Sequence, residues 1–315
     1  MPTDHSSGVP GNDVRWSGGE THWTSRLGGE VELFLWHKPA APGVPFQGTI
    51  LFVHGSSMAS QPTFDLAVPG RPDSSAMDWF RARGFDTWTM DNEGYGRSSK
   101  HRAINFGIVN GAEDLAAGSA YILERARSDK LMVYGISSGA LKGALFAQQH
   151  PERVARLALD AFVWTGDGSP TLEKRRQKMA EWTAGNRRKI DRDFVYSIFN
   201  RDHPGTAEDR VIDAFAQAIL TLDDSMPTGT YVDMCSKLPL VDPEKINVPT
   251  LILRGEWDGI ASVEDLIAFF MKLPHQDKQF SVMKGISHAS FQQKNYRNVY
   301  HLLHAFLTQP AQVYP

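Results

Sequence analysis

From residue 48 onward, the chain alternates between short, continuous apolar runs and segments with helical periodicity. The apolar runs cover residues 48–53, 85–90, 130–134, 154–160, 250–254 and 278–283. The helical patterns cover residues 74–83, 111–127, 138–150, 263–273 and 290–307. Runs that are apolar on both faces are typical of parallel strands covered by helices. We therefore expect an α/β fold with a mostly parallel central sheet and helices on both faces.

Three segments depart from this alternation. Residues 20–27 and 30–38 flank a Gly-Gly pair and predict a hairpin, so the sheet is expected to begin antiparallel. Residues 163–243 are polar, have helical patterns and contain no convincing strand, which predicts a helical cap. The core domain is then expected to comprise 20–162 and 244–315. The remaining segment, 1–19, is rich in Gly, Pro, Ser and Asp and is expected to form a flexible N-terminal arm.

Composition narrows the class of protein. The 315 residues have a formal net charge of −3 and are 41% hydrophobic, which excludes a disordered chain and provides no basic surface for nucleic acid. The single cysteine, Cys235, excludes an intramolecular disulfide. The sequence shows neither a secretory signal nor an apolar run long enough to span a membrane. We expect a cytoplasmic protein without membrane or nucleic-acid partners, whose oligomeric state stays open, with a homodimer as one alternative.

The motif GISSG at residues 135–139 is the first candidate for chemistry. It follows the apolar run 130–134 and precedes a helical pattern, which is the setting of a nucleophile elbow. Such a turn exposes a serine hydroxyl above the sheet, and small neighbours relieve the crowding of its backbone. The spacing alone is common, so its position between strand and helix decides the prediction that Ser137 is a nucleophile.

A serine hydroxyl needs a base, and the base needs an acid that orients it. Asp258 follows the apolar run 250–254 and is the favoured acid. Glu256, two residues earlier, competes with it, and Asp160 is a weaker alternative. His288 is the histidine that follows a predicted strand after the acid, and we predict that it is the base.

Acyl transfer also needs hydrogen-bond donors for the developing oxyanion. The segment HGSS at 54–57 follows the first long apolar run. We expect the backbone N–H groups of Ser56 and Ser138 to be these donors. Ser57 and Trp164 are the predicted substrate contacts, since Trp164 comes shortly after the strand 154–160.

The cap also carries two basic runs, at 174–176 and 187–189. Acidic residues are interspersed with them, so we interpret the runs as a solvated helix face. The alternative interpretation is that they attract an anionic substrate, such as one with a free carboxylate.

These motifs resemble those of the α/β-hydrolase superfamily, in a serine carboxylesterase-like branch with a helical cap. The residues that carry the resemblance are HGSS (54–57), DNEGYGRS (91–98), GISSG (135–139), GEWD (255–258) and GISH (285–288). The set spans about two-thirds of the chain and identifies the superfamily without identifying a substrate. The resemblance implies a Ser137, His288 and Asp258 triad and a cap that shapes the pocket.

The chain also departs from some branches of that superfamily. Glu93 stands where many members carry Arg, and proline iminopeptidases have a Trp in the elbow that this chain lacks. Epoxide hydrolases and haloalkane dehalogenases use Asp at the position of Ser137, which makes both chemistries unexpected here.

The sequence therefore predicts a serine hydrolase that cleaves a carboxylic ester of a small or medium, partly apolar substrate through an acyl-enzyme. This chemistry needs no metal or organic cofactor. Two alternatives stay open. The same triad could act on a carbon–carbon bond or an amide, or the chain could be a non-catalytic receptor on a hydrolase scaffold.

Overall fold

A central sheet organises the computed structural model, which describes residue 16, residues 18–310 and residue 313. Most of the arm predicted at 1–19 lies outside the described residues. The strands in chain order are β1 (Glu20–Arg26), β2 (Val31–Lys38), β3 (Gly48–Val53), β4 (Phe85–Met90), β5 (Leu131–Ile136), β6 (Val154–Asp160), β7 (Arg187–Lys189), β8 (Ser225–Pro227), β9 (Thr250–Gly255) and β10 (Lys278–Met283).

Eight of the strands in the described ranges form one sheet in the order β1-β2-β4-β3-β5-β6-β9-β10. β2 pairs antiparallel with both β1 and β4, and every later neighbour pairs in parallel. All six residues of β4 are buried, as expected of a strand covered on both faces. The predicted α/β fold with a mostly parallel sheet and an antiparallel start is confirmed.

Helices surround this sheet. They are α1 (Ser60–Phe64), α2 (Ala76–Arg81), α3 (Ile108–Leu123), α4 (Ser138–Gln149), α5 (Pro170–Arg176), α6 (Met179–Thr183), α7 (Arg192–Asn200), α8 (Asp209–Leu220), α9 (Gly229–Ser236), α10 (Val263–Lys272) and α11 (Tyr296–Leu307). Helix α4 packs against β5 and β6, next to α3. In the part of the chain that the structure describes, no helix combines the length and apolar character required to cross a bilayer.

Two helical expectations need correction. The pattern at 290–307 is not one helix, because α11 begins at Tyr296 and only a single 3₁₀ turn, Ser290–Gln292, precedes it. The side chains of that turn bond to distant groups, Ser290 to Asp160 and Gln292 to the carbonyl of Thr63, which holds the turn apart from the helix. Helix α1 was not predicted, since its five residues are too few to show a period.

Segment 163–243, which was predicted to be a helical cap and is called the cap below, contains α5 to α9. The expectation that it has no strand was wrong. β7 and β8 pair antiparallel as a short ladder. Each has only three residues, and β7 has the sequence RRK, so no alternation of apolar and polar positions marks it. Helices α7 and α8 share a separate apolar cluster with Met58, Leu66 and Val68, so the loop after β3 packs against the cap.

Candidate active site

The ends of four strands bring the candidate residues together. His54 follows β3 and Ser137 follows β5, while Asp258 and His288 lie in the loops after β9 and β10. All four strands run parallel within one sheet, so their carboxyl ends lie at the same edge. In open α/β sheets this edge is where ligands bind.

Ser137 occupies a strained turn between β5 and α4. Its φ of 58° and ψ of −126° lie in a region that residues with a side chain seldom adopt. The flanking glycines permit the turn: a Cβ on Gly135 would lie 2.3 Å from the carbonyl oxygen of Gly139, and one on Gly139 would lie 2.3 Å from that of Val53. The turn is fixed by the Ser137 N–H, which donates to the carbonyl of Asp160 over 2.9 Å.

A chain of two hydrogen bonds joins Ser137, His288 and Asp258. The Oγ of Ser137 lies 3.0 Å from Nε2 of His288, and Nδ1 of His288 lies 3.0 Å from Oδ1 of Asp258. The ionised carboxylate only accepts hydrogen bonds, so Nδ1 carries the proton and Nε2 is free to accept from the serine hydroxyl. All three side chains are buried, which strengthens the electrostatic interactions between them.

The two competing carboxylates have other partners. Oε2 of Glu256 accepts the N–H of Gly285 over 2.8 Å and so fixes the loop that carries the histidine. Asp160 accepts hydrogen bonds from Tyr134 at 2.5 Å and Ser290 at 3.0 Å. Burial raises the pKa of Asp160 to about 7. Neither carboxylate is hydrogen-bonded to His288, so the geometry favours Asp258 as the orienting acid.

The loop after β3 approaches the serine from the other side. A Cβ on Gly55 would lie 3.8 Å from Oγ of Ser137, so this backbone packs directly on Ser137. Ser56 is buried next to it. Ser138 is the first residue of α4, where a backbone N–H has no acceptor within the helix and the helix dipole is positive.

His54 holds this loop in place. The N–H of Asn92 donates to Nε2 of His54 over 3.0 Å, so the ring proton is on Nδ1, which donates to the carbonyl of Gly55 over 2.8 Å. Burial lowers the pKa of His54, so the ring stays neutral and keeps this tautomer. His54 is therefore a positioning residue for the backbone beside Ser137.

The two predicted substrate contacts lie in different surroundings. The hydroxyl of Ser57 is 3.0 Å from the hydroxyl of Tyr231 and 3.0 Å from Nη2 of Arg188. Trp164 instead donates from its indole to the carbonyl of Val241 over 3.1 Å and packs on Phe269. The cavity of about 460 Å³ beside Trp164 is lined by none of the residues of the Ser–His–Asp chain. These contacts favour a structural role for Trp164.

The family follows from comparison of the whole chain with known proteins. Residues 46–295 match the family described as serine aminopeptidase, S33. The chain belongs to the serine aminopeptidase S33 family. Comparison with curated proteins finds no match.

Solved structures similar to this S33 hydrolase agree with its fold. An α/β hydrolase from Penicillium sp. sh18 is 17% identical, with a TM-score of 0.66 over 92% of this chain and 98% of that one. A thermophilic esterase from Thermogutta terrifontis, with malate bound, is 21% identical, with a TM-score of 0.64 over 93% and 100%. The enol-lactonase from Burkholderia xenovorans LB400 is 17% identical, with a TM-score of 0.63 over 91% and 100%. At these identities the likeness is one of fold.

Segment 163–243 of this S33 hydrolase brings two charged groups near the Ser–His–Asp chain that the sequence analysis did not single out, Arg201 and its partner Asp202. The carboxylate of Asp202 comes within 4.8 Å of the facing oxygen of Asp258 and nitrogen of His288. The interpretation of the basic runs as a solvated helix face also needs correction, because Arg188 lies on the strand β7, is buried and donates to the carbonyl of Ser56. The basic runs were visible in the sequence, but nothing in them distinguished a buried arginine from a solvated one.

Proposed function

We propose that this chain is a serine hydrolase that cleaves a carboxylic ester of a small or medium, partly apolar substrate through an acyl-enzyme. The observation that carries the proposal is the buried chain of hydrogen bonds from Ser137 through His288 to Asp258, with 3.0 Å at each step. This is the arrangement that activates a serine hydroxyl, recognised by geometry and roles.

The proposed reaction begins when Oγ of Ser137 attacks the ester carbonyl carbon and its proton moves to Nε2 of His288. Asp258 stabilises the imidazolium that forms. The negative charge on the former carbonyl oxygen is met by the N–H groups of Ser56 and Ser138, aided by the positive end of α4. Collapse of this intermediate expels the alcohol, which takes the proton from His288. Water then attacks the acyl-enzyme with His288 again acting as base, and the carboxylic acid leaves.

Charge near the site favours an ester over the substrate of an aminopeptidase. An aminopeptidase must accommodate an amino terminus, which is largely cationic at neutral pH. Beside Ser57, the cap presents the guanidinium of Arg188 and, behind it, that of Arg175. A cationic substrate would be repelled by these groups, whereas a neutral or anionic ester would not.

The test combines covalent labelling with turnover. A fluorophosphonate probe should label the purified chain at Ser137, and p-nitrophenyl butyrate should be hydrolysed with a burst of p-nitrophenol that equals the enzyme concentration. Ser137→Ala should show neither. Labelling without turnover of any ester, amide or diketone would favour a receptor. Turnover of an amide or of a carbon–carbon bond at a higher kcat/KM than any ester would favour the other alternative.

A further inference from the structure

Two arginines of the cap enclose the ring of Tyr231. The guanidinium carbon of Arg175, on α5, and that of Arg188, on β7, each lie 4.0 Å from the centroid of the Tyr231 ring. Arg201, directly after α7, is close enough to interact electrostatically with both Tyr231 and Arg175. Residues from α5, β7, α9 and the end of α7 therefore converge on one cluster, Arg175, Arg188, Arg201 and Tyr231, which we call the arginine cluster.

The described carboxylates near the arginine cluster balance only part of its positive charge. Arg201 pairs with Asp202 at 2.9 Å. Among the described residues, no carboxylate lies within ion-pair distance of Arg175 or Arg188. Nη1 of Arg175 and Nε of Arg188 are buried and lack an acceptor in the described part of the chain. Buried donors and charges of this kind are costly unless a partner satisfies them.

The arginine cluster lies alongside the Ser–His–Asp chain. Nη2 of Arg188 donates to the carbonyl of Ser56 over 2.9 Å, one residue from the backbone that packs on Ser137. At the other end of the cluster, the carboxylate paired with Arg201 lies within 4.8 Å of Asp258 and His288. An ester whose carbonyl reaches Ser137 would therefore extend its far end toward these guanidinium groups.

We propose that Arg175 and Arg188 bind a carboxylate carried by the ester substrate. This inference rests on the proposed function. The donors left for this carboxylate are Nη1 of Arg175 and Nε of Arg188, because Nη1 of Arg188 already donates to the carbonyl of Pro227 and its Nη2 to Ser56 and Ser57. A guanidinium group keeps its charge when buried and donates strongly to a carboxylate. Arg188 donates to Ser56 as well, so substrate binding and the geometry of the oxyanion loop are joined in one side chain.

The experiment compares esters of equal length with and without a carboxylate. On the acyl side the pair is p-nitrophenyl hemiglutarate and p-nitrophenyl valerate. On the alcohol side it is 4-carboxyphenyl valerate and 4-methylphenyl valerate. The anionic member of at least one pair should have a kcat/KM about tenfold or more higher, through a lower KM. Preference for the neutral member in both pairs would overturn the proposal.

Variants test which side chains cause the preference for the anionic ester. In Arg175→Gln the ratio of kcat/KM for the anionic and neutral esters should fall by about tenfold, whereas Lys178→Gln, a change at an exposed lysine of the same cap, should keep the ratio. Arg188→Lys provides a second test, in which the positive charge is kept and the guanidinium donors are lost. Thermal melts establish that all three variants fold. An unchanged ratio in both folded arginine variants would overturn the proposal. If the unmodified chain neither hydrolysed any ester nor reacted with the fluorophosphonate probe, the proposed function itself would be overturned.

A separate cluster lies on the antiparallel hairpin at the edge of the sheet. Glu20 and His37 are directly opposite each other in the β1–β2 pairing, and His22 is two residues from Glu20 on the same face of β1. Oε2 of Glu20 lies 3.5 Å from Nε2 of His22 and 3.6 Å from Nδ1 of His37. Both nitrogens are buried and have no hydrogen-bond partner among the described residues.

The outer nitrogens of the two rings are held by other groups. Nδ1 of His22 is 3.1 Å from the hydroxyl of Tyr121, and Nε2 of His37 is 2.7 Å from Oδ1 of Asp86. Such partners orient a metal-binding histidine and fix the nitrogen that faces the metal.

We infer that Glu20, His22 and His37 bind a divalent transition-metal ion, with Zn²⁺ the best match to two imidazoles and one carboxylate. Bonds of about 2 Å to a tetrahedral ion place two ligand atoms about 3.3 Å apart. The distances from Glu20 are within a few tenths of an ångström of that value. The ion would join β1 to β2 and leave one position for water.

Calorimetric titration of the full, EDTA-dialysed chain with ZnCl₂ tests this inference. One ion should bind per chain, and the melting temperature should rise with added zinc. Glu20→Ala, at an exposed side chain, and His22→Ala should each weaken binding about tenfold or more. His101→Ala, at an exposed histidine elsewhere, should not. No binding, or equal binding in all three variants, would overturn the site.

Discussion

The carboxyl edge of the sheet and the cap bring their residues together in different ways. At the sheet edge, Ser137, Asp258 and His288 each follow a strand directly or within a few residues, and each lies in a short motif. In the cap, Arg175, Arg188 and Tyr231 come from two helices and a three-residue strand that share no motif. The first group is predictable from the chain, and the second is not.

This difference corresponds to two proposed roles: residues at the sheet edge carry out the reaction, and residues of the cap select the substrate. Parallel strands must end at one edge, so a residue placed after a strand is also placed in space. A cap helix can pack in many orientations, and which of its side chains become buried depends on the partners it meets. We therefore expect changes at the sheet edge to affect the reaction on every substrate, and changes in the cap to affect the choice among substrates.

The largest loss of ester turnover is expected from Ser137→Ala. Removal of the hydroxyl should lower ester turnover on the order of a thousandfold or more, with the fold intact, because the side chain lies at the end of a well-packed turn. Steady-state kinetics with p-nitrophenyl butyrate and a thermal melt measure both quantities. Near-normal activity in this variant, together with loss of activity in Ser138→Ala, would move the nucleophile by one residue.

A smaller but still large loss is expected from Asp258→Asn. An amide at this position favours the wrong tautomer of His288, so turnover at neutral pH should fall by about a hundredfold to ten-thousandfold. The matched change Glu256→Gln should have much less effect, because Glu256 bonds to the backbone of Gly285 and not to His288. The reverse ranking of the two variants would identify Glu256 as the orienting acid.

A several-fold change in the KM for anionic esters is expected from the titration of Tyr231. Burial raises the pKa of its phenol, but Arg175, Arg188 and Arg201, with the hydrogen bond to Ser57, outweigh burial and lower the pKa to about 7. Above that pH the phenolate competes with a substrate carboxylate for the guanidinium groups. The KM for an anionic ester, relative to its neutral match, should therefore rise as the pH increases from about 6 to 8.

Tyr231→Phe sharpens this prediction, because it removes the titrating group while keeping the ring between the arginines. The relative KM of the variant should be flat over the same pH range. If the relative KM of Tyr231→Phe still changed with pH, the titration would belong to another group. The proposed role of the cap in substrate selection would then lose support.

The smallest effect on selectivity is expected from Trp164→Ala. The indole bonds to Val241 and packs on Phe269, so its loss should lower the free energy of unfolding by about 2 kcal/mol. The ratio of kcat/KM for large and small esters should change by less than about twofold, in contrast to Arg175→Gln. A shift in that ratio with unchanged stability would restore Trp164 as a substrate contact.

Local sequence patterns predicted some elements of the structure and could not predict others. The bounds of β3, β4 and β6 agree with the apolar runs, since a strand buried on both faces has few polar positions. Those of β10 also agree, although this edge strand is only partly buried. The motif GISSG at 135–139 could be recognised in the sequence from its two glycines. The structure shows why they are needed, because a Cβ on either glycine would collide with neighbouring backbone. By contrast, the 3₁₀ turn at Ser290–Gln292 and the strand β7 depend on contacts with distant residues, which no local pattern contains.

By itself, the sequence determined the mostly parallel sheet, the order of most strands and helices along the chain, and the strand ends that carry Ser137, His288 and Asp258. These depend on hydrophobic periodicity and on backbone geometry, which act over a few residues. Only the tertiary structure decided which carboxylate faces His288 and which basic residues of the cap are enclosed. Burial, charge compensation and hydrogen-bond partners join residues that are far apart in the chain, so they exist only once the chain has folded.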